Sequence, residues 1–428
     1  MRRKILAAVA LASMLAIVVS SAAARPAVPA RAQADKVTVW LMGDAQANWP
    51  EAVAAANQAF RSQHPGVDVN VQYQSWGDYK TKFEATLSSG NGPDVIEFGN
   101  TDVPKYSAAG ALAALDRNAF PNSRTWLSAL TKAGTYNGKL YAVPYYAGAR
   151  GVIYRTDQYK SAGIKKVPTT LAEFNAANAR LMARFGGRKN PSYSAVYFPG
   201  RYWYAAMSFV YDYGGAIARF RNGRWVGTLD SSLALRGLRK WKATARALSR
   251  ANRSGTEATQ WTVFAQGRVG ATISNGWEWG LIIDPQNGNP RLNLGAFPMP
   301  SHTKGKFMPT FLGGSNLAIP ATSGNRALAL DWIRTFTANG NMRTLTSAAG
   351  VIPNTTSLAS VNASKPQLAP FAQAAKASWF VPTAPNWANV ENAQVLQNML
   401  SSILTGRSTV DAAARRASTQ ITQIHNAR

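Results

Sequence analysis

The 428-residue chain contains no cysteine. This excludes disulfides, thiolate metal sites, a cysteine nucleophile and an acylated lipobox cysteine. Histidine is almost as scarce. His64, His302 and His425 lie far apart without ligand spacing, which argues against zinc catalysis, and no metal or cofactor is expected. Acids are few: 20 Asp and Glu stand against 47 Lys and Arg, a net charge of +27. A secreted glycoside hydrolase needs two carboxylates about 5–10 Å apart. Asp44, Glu97, Asp102 and Glu278 show no such paired spacing, and the chain is not expected to be an enzyme. Past the N-terminus no run approaches the roughly 20 apolar residues of a membrane span. There is no internal repeat, no long low-complexity linker and no nucleic-acid motif.

What is present begins with a basic triplet, Arg2-Arg3-Lys4, and an apolar run from Ile5 to Val19. Ala22-Ala23-Ala24 and Ala32-Gln33-Ala34 offer small-residue cleavage sites. This is the pattern of an export signal, so residues 1–34 are expected to be a signal peptide and leader, and the protein periplasmic or at the cell surface. An uncleaved signal acting as a tether is the other reading. Removing residues 1–34 takes away Arg2, Arg3, Lys4, Arg25 and Arg31 and leaves 42 basic and 20 acidic residues, a net +22. Such a field draws anions, yet the charges are dispersed. The densest places, Arg236 to Arg253 and Arg415-Arg416, fall on helix-like stretches and read as solvated faces. With 46% apolar residues the chain can bury a large core and form two domains.

In chain order, Val37 to Leu41 reads as a first strand and Met42 to Asn48 as its loop. Pro50 sits well at the first position of a helix, with Val53, Ala56 and Phe60 on one face. Val67, Val69, Val71 and Tyr73 alternate as a half-buried strand. Tyr79, Phe83 and Leu87 repeat every four residues, the mark of a helix. Gly90, Gly92 and Pro93 then punctuate the chain, and Asp94 to Phe98 reads as a short buried strand. The β-α-β-α-β order implies an α/β doubly wound sheet. Ligands of such sheets sit beyond the carboxyl ends of strands, which places Asn100 and Thr101 where a ligand would stand. Further on, Thr170 with Glu173 predicts a capping box before a helix.

Gly-x-x-Pro-Asp-Val at 90–95, followed by Ala-x-Gly-x-Leu-x-x-Leu-Asp at 108–116, resembles the signature of the family 1 extracellular solute-binding proteins. These are sugar receptors of ABC importers, of the maltose-binding-protein type. Glu97 to Thr101, with Tyr106 beyond, is most similar to the branch that binds chito-oligosaccharides and related disaccharides. Gly138 to Arg155 resembles the family's Gly-Lys-x-Tyr-x-x-Pro segment, a first crossing between lobes. Phe264 to Trp279 resembles its helix and strand ending in Gly-x-Trp. Phe311 to Pro320 resembles the return crossing, and Val381 to Ala413 the C-terminal helices.

The resemblance implies a two-lobed periplasmic-binding-protein fold of type II, each lobe a doubly wound sheet, with several hinge crossings. Residues 35–147 with 316–375 form one lobe on this reading, and 148–315 with 376–428 the other. It also implies a monomeric, non-catalytic receptor that captures an oligosaccharide and docks on a membrane permease driven by a separate ATPase. A receptor for an anionic sugar or phosphate ester is the alternative, motivated by the basic surplus.

Sugars need aromatic planes for their C–H faces and amides or carboxylates for their hydroxyls. Trp277-Glu278-Trp279 offers two planes flanking one carboxylate, and in extended chain Trp277 and Trp279 share a face. Trp40, Asp44 and Trp76 lie at strand ends, as contacts or as packing. Tyr146 and Arg150 flank the predicted hinge. Trp203 and Tyr204 follow a turn in an aromatic-rich stretch, where one can face a cleft. Gly313-Gly314-Ser315-Asn316 can approach a ligand through its backbone or serve as a hinge, with Gly314 and Asn316 the candidates. Trp379 and Trp387 stand near a third crossing.

Overall fold

The structure, a computed structural model, describes residues 36–188, 190–256 and 260–427. The expected signal segment lies outside the described residues.

The first sheet grows from the predicted β-α-β-α-β unit. Strand β1 (Lys36–Met42) pairs in parallel with β2 (Asp68–Gln74) on one side and β3 (Val95–Gly99) on the other. The helix Pro50–Gln63 joins the first two and buries Ala52, Val53, Ala56 and Phe60. The helix Tyr79–Ser89 joins β2 to β3, burying Tyr79 and Phe83 and ending on left-handed Gly90, φ 71°, as glycine C-caps do. Phe83, Phe98 and Tyr106 close the space between that helix and the sheet with ring centroids 4.8 to 5.2 Å apart.

Later strands complete this sheet. β4 (Ala142–Gly148) and β5 (Arg150–Arg155) are separated by Ala149 alone. β4 belongs to the first sheet and β5 to a second, so the chain passes from one to the other in a single residue. β6 (Ser194–Tyr197), β7 (Val269–Asn275) and β8 (Leu294–Phe297) join β5 in the order β8-β5-β7-β6. Next, Thr310–Phe311 pairs with Ser378–Trp379, and β9 (Gly313–Ala318) returns to lie between β3 and β4. β10 (Ile352–Pro353) finishes the first sheet on the outer edge of β4. Both sheets are mixed: β9 runs antiparallel to β3 and β4, and β5 antiparallel to β7 and β8.

One irregularity matters for the site. The β9–β4 register shifts between Ser315 and Asn316, which face Tyr146 and Pro144. Pro144 has no N–H to give a ladder, and proline inside a sheet belongs at such a bulge. Gly314, φ +139°, precedes the bulge, and a Cβ there would stand 2.1 Å from the Tyr146 carbonyl oxygen. Glycine is required.

The cores follow the sheets. One hydrophobic cluster surrounds the first sheet with Val37, Phe60, Val143, Leu317 and Trp332. The largest joins the second sheet to the C-terminal helices, with Val152, Phe198, Trp241, Trp387 and Ile421.

Three local expectations are corrected. Residues 43–48 form the short helix Gly43–Asn48 rather than a loop. Trp49, held before Pro50 at ψ 46°, breaks it from the next helix, since a residue preceding proline avoids the helical region. The Thr170 hydroxyl accepts from the Glu173 amide as predicted, but Glu173 reaches back to Thr169, whose amide and hydroxyl lie 2.7 and 2.8 Å from it. Trp277 and Trp279 are not on extended chain, because the helix Glu278–Ile282 begins between them.

A cleft between the two sheets

The carboxyl ends of β1 and β3, the start of β9 at Gly313 to Ser315, the crossing from β4 to β5 and the end of β7 converge on a cleft of about 510 Å³. Such a volume lies within the range of small-molecule sites. Nine of the sequence-picked residues line it: Asp44, Trp76, Asn100, Thr101, Tyr146, Arg150, Tyr204, Trp277 and Gly314.

Trp76 stands at the mouth, 42% exposed, an open plane for a large aromatic. Its indole N–H donates to Asp44 Oδ2 at 2.5 Å, and its ring meets Tyr79 edge-on at 5.5 Å. Tyr146 and Trp277 meet at right angles, 6.3 Å between centroids, one from β4 and one from the turn after β7. Gly148 makes room for this approach: a Cβ there would lie 2.4 Å from the Trp277 ring. Arg150 donates through Nε to the Tyr202 hydroxyl at 2.8 Å and lies over the Tyr204 ring at 4.4 Å. Its backbone N–H donates to Thr310 Oγ1 at 2.9 Å, tying two crossings together. Asn100 does the same on the other side, with its amide N–H to the Gly314 oxygen at 2.9 Å and its side chain to the Leu312 oxygen at 3.2 Å.

Carboxylates are prominent. Asp44, Asp102 and Glu391 line the cleft, against Lys80 and Arg150. Asp102 accepts from the Tyr79 hydroxyl at 2.5 Å and from Lys80 at 3.3 Å. Glu391 accepts from Trp387 Nε1 at 2.6 Å and from Thr101 Oγ1 at 3.5 Å. Burial, and then the charge of Asp102, hold the Glu391 carboxyl above the usual range. Beneath the floor, Glu97 is wholly buried and accepts from the Met42 amide at 2.8 Å. Burial pushes it up to about 7, with Asp44 adding to the push against that hydrogen bond.

Seven other candidates lie away from this cleft, Trp379 being buried beside Trp203. Trp40 is buried in the core and donates to Gln72 Oε1 at 2.8 Å. Trp203 packs among Tyr204, Phe311, Trp379 and Trp387, at the start of the apolar helix Trp203–Asp212. Trp387 is fully buried, and its indole positions Glu391 instead of facing the cleft. Asn316 is fully buried and donates to the Leu130 oxygen at 3.0 Å. Glu278 is buried as a helix-start carboxylate, accepting from Gln260, Ser274 and the Asn275 amide, with its titration raised chiefly by burial. Trp279 lines an adjoining cavity of about 670 Å³, which shares Asn48 and Trp277 with the cleft and also holds Trp261.

The cleft also holds residues not picked from sequence, among them Trp49, Tyr79, Lys80 and Glu391. Trp49 had a legible position, immediately before the helix-starting Pro50, and it meets Tyr146 at 5.3 Å. Glu391 had none: it meets Thr101 from 290 residues away.

The model of the bacterial extracellular solute-binding proteins matches residues 41–343. The diacetylchitobiose binding protein DasA of Streptomyces coelicolor is 31% identical over 424 residues, 96% of each chain. Among solved structures, the GacH receptor of Streptomyces glaucescens, described unliganded and with acarbose, superposes with a TM-score of 0.75 at 21% identity. The match covers 92% of this chain and 99% of that one. A cyclo/maltodextrin-binding protein complexed with maltotetraose gives 0.74 at 21% identity, over 92% and 98%.

Proposed function

This chain belongs to the bacterial extracellular solute-binding protein family, and we propose that it captures a neutral disaccharide of the diacetylchitobiose type in the cleft and hands it to an ABC permease. It is a solute-binding protein for oligosaccharides and not an enzyme. Two lobes, 35–147 with 316–375 and 148–315 with 376–428, close around the sugar by bending at the crossings.

The observation that carries the reading is the arrangement of aromatic planes and acceptors. Trp76, Tyr146 and Trp277 present rings into the cleft, and Asp44, Asp102 and Glu391 present carboxylate oxygens between them. Rings take the C–H faces of a pyranose, and carboxylates accept its hydroxyls with charge-assisted strength. The two cations are matched by Asp44 and Asp102, with the raised Glu391 carboxyl beside them, so the cleft holds no surplus of positive charge for an anionic sugar. Both cations also have partners, Lys80 in Asp102 and Arg150 in Tyr202. The disaccharide class rests on the diacetylchitobiose binding protein alone.

Calorimetric titration of the exported protein against diacetylchitobiose, maltose, cellobiose, xylobiose and a uronate disaccharide, at low and moderate salt, tests it. Salt-insensitive binding of diacetylchitobiose is expected. Preference for another neutral sugar overturns the disaccharide class, and binding of the uronate alone overturns the neutral reading.

A further inference from the structure

The basic surplus is not spread evenly. Residues 36–147 with 316–375 hold 13 basic and 10 acidic side chains, whereas 148–315 with 376–428 hold 29 and 9. Among the described residues, Arg150 alone of these 29 basic side chains lines the cleft. The most unusual feature of this excess is a hairpin, Ala218–Arg221 paired antiparallel with Arg224–Gly227. Asn222 and Gly223 form the two-residue turn, both with positive φ, 49° and 76°, as Asn-Gly hairpin turns require. Among the described residues the hairpin hydrogen-bonds to no other strand, and it rests on the helix Val410–Asn426, where Gly227 N donates to Thr422 Oγ1 at 2.8 Å.

Three observations at its tip fit together. Phe220 is 60% exposed, the most exposed large apolar side chain among the described residues. It is flanked by exposed Arg219 and Arg221, with exposed Arg224 across the turn. Arg221 and Arg224 face each other directly, a like-charge pair that weakens a hairpin. Among the described residues, no carboxylate lies within ion-pair distance of Arg219, Arg221 or Arg224. Residues 214–240 contain six basic side chains and one acid, Asp230. Half-exposed Leu233 lies beside the base of the hairpin, its Cδ1 3.6 Å from where a Cβ on Gly214 would stand.

We propose that this hairpin is a membrane-surface contact: Arg219, Arg221 and Arg224 engage the phosphates of acidic lipid headgroups while Phe220 inserts at the interface. Phenylalanine beside cations is the composition of segments that lie in the bilayer interface, and a cation near an acidic bilayer contributes about fivefold in binding. The aromatic decides for a bilayer over a soluble polyanion, which would use the arginines and leave Phe220 idle. Holding a receptor at the surface where its permease sits raises its local concentration there.

The test is co-sedimentation of the exported protein with vesicles of phosphatidylglycerol and phosphatidylcholine mixed, and of phosphatidylcholine alone, across a salt series. Expected is binding to the acidic vesicles only, weakened by salt. R219A/R221A/R224A should lower it on the order of 100-fold and F220A about tenfold, with sugar affinity and melting temperature unchanged in both. No binding to acidic vesicles at low salt overturns the proposal. So does binding that F220A leaves intact, or that short polyphosphate abolishes equally in wild type and F220A, since the contact is then charge alone.

Discussion

Two side chains separate what the cleft does for a sugar from what it does for the fold. Trp277 is half-buried, meeting Tyr146 at right angles and packing on Gly148, and lines both the cleft and the adjoining cavity. Removing the plane in Trp277→Ala removes a stacking surface without uncovering a polar group. A cost of about 2 kcal/mol, roughly 30-fold in Kd, is expected in calorimetry, with little change in melting temperature. An unchanged Kd would remove Trp277 from the site. Glu97 works through the fold. Its folded-state carboxyl is raised by burial to about 7, well above an unfolded glutamate near 4.3. Below about pH 4 both states hold the proton and no penalty exists. As pH rises toward 7 the unfolded chain gives up the proton first, so stability falls across that window and stays lowered above it. Glu97→Gln keeps an acceptor for the Met42 amide and carries no charge. Its stability from pH 4.5 to 8 is expected to fall less steeply than wild type's in denaturant titrations, and parallel curves would refute a buried, raised Glu97.

At the scale of elements, the bulge in β4 opposite β9, where Tyr145 is the extra residue, shapes the floor of the cleft. Gly314 can hold φ +139° only without a Cβ, and the Tyr146 carbonyl occupies the space a Cβ needs. Gly314→Ala therefore has to open the β9–β4 pairing or rotate Tyr146. A loss of a few kcal/mol is expected, with sugar affinity falling in the fraction that folds. Thermal melting with titration checks both, and a variant with native values for both would refute the close approach. Most elements of this half were legible. Helices 50–63 and 79–89 announced themselves by apolar spacing with Pro50 and Gly90 at their ends, β1 and β3 by short apolar runs and β2 by alternation. The chemistry of strand ends then led to Asp44, Asn100 and Thr101. Aromatics were less legible, because tryptophan serves a core and a sugar face equally well. Trp203 and Trp387 looked like Trp277 in sequence, and only packing between distant helices assigns them to the interior. The helix start at Glu278 was hidden for a related reason: a carboxylate between two tryptophans reads as a ligand contact, whereas here it caps backbone and side-chain donors.

Across the whole molecule the two halves touch over the cleft through few polar contacts. Thr101 reaches Glu391 at 3.5 Å, and Lys80, paired with Asp102, reaches Asn392 at 3.4 Å. These come from loop and helix on the first-sheet side and from the helix Trp387–Asn392 on the other. They oppose opening, but partly exposed contacts of this kind contribute only about 0.2–1 kcal/mol each, so they bias the hinge without locking it. A sugar that binds the closed form more tightly then shifts the population by its differential affinity alone. Lys80→Ala removes one cross-cleft contact and leaves the aromatic planes untouched. Its ligand-free form should scatter as a more open particle, with a larger radius of gyration than wild type. Saturating sugar should bring both to the same compact value. Because a smaller closed fraction lowers apparent affinity in proportion, Kd should rise about two- to fivefold. A ligand-free variant with the wild-type radius and Kd would show that these contacts do not set the hinge, and that closure is governed by the crossings at 148–150 and 310–314 instead.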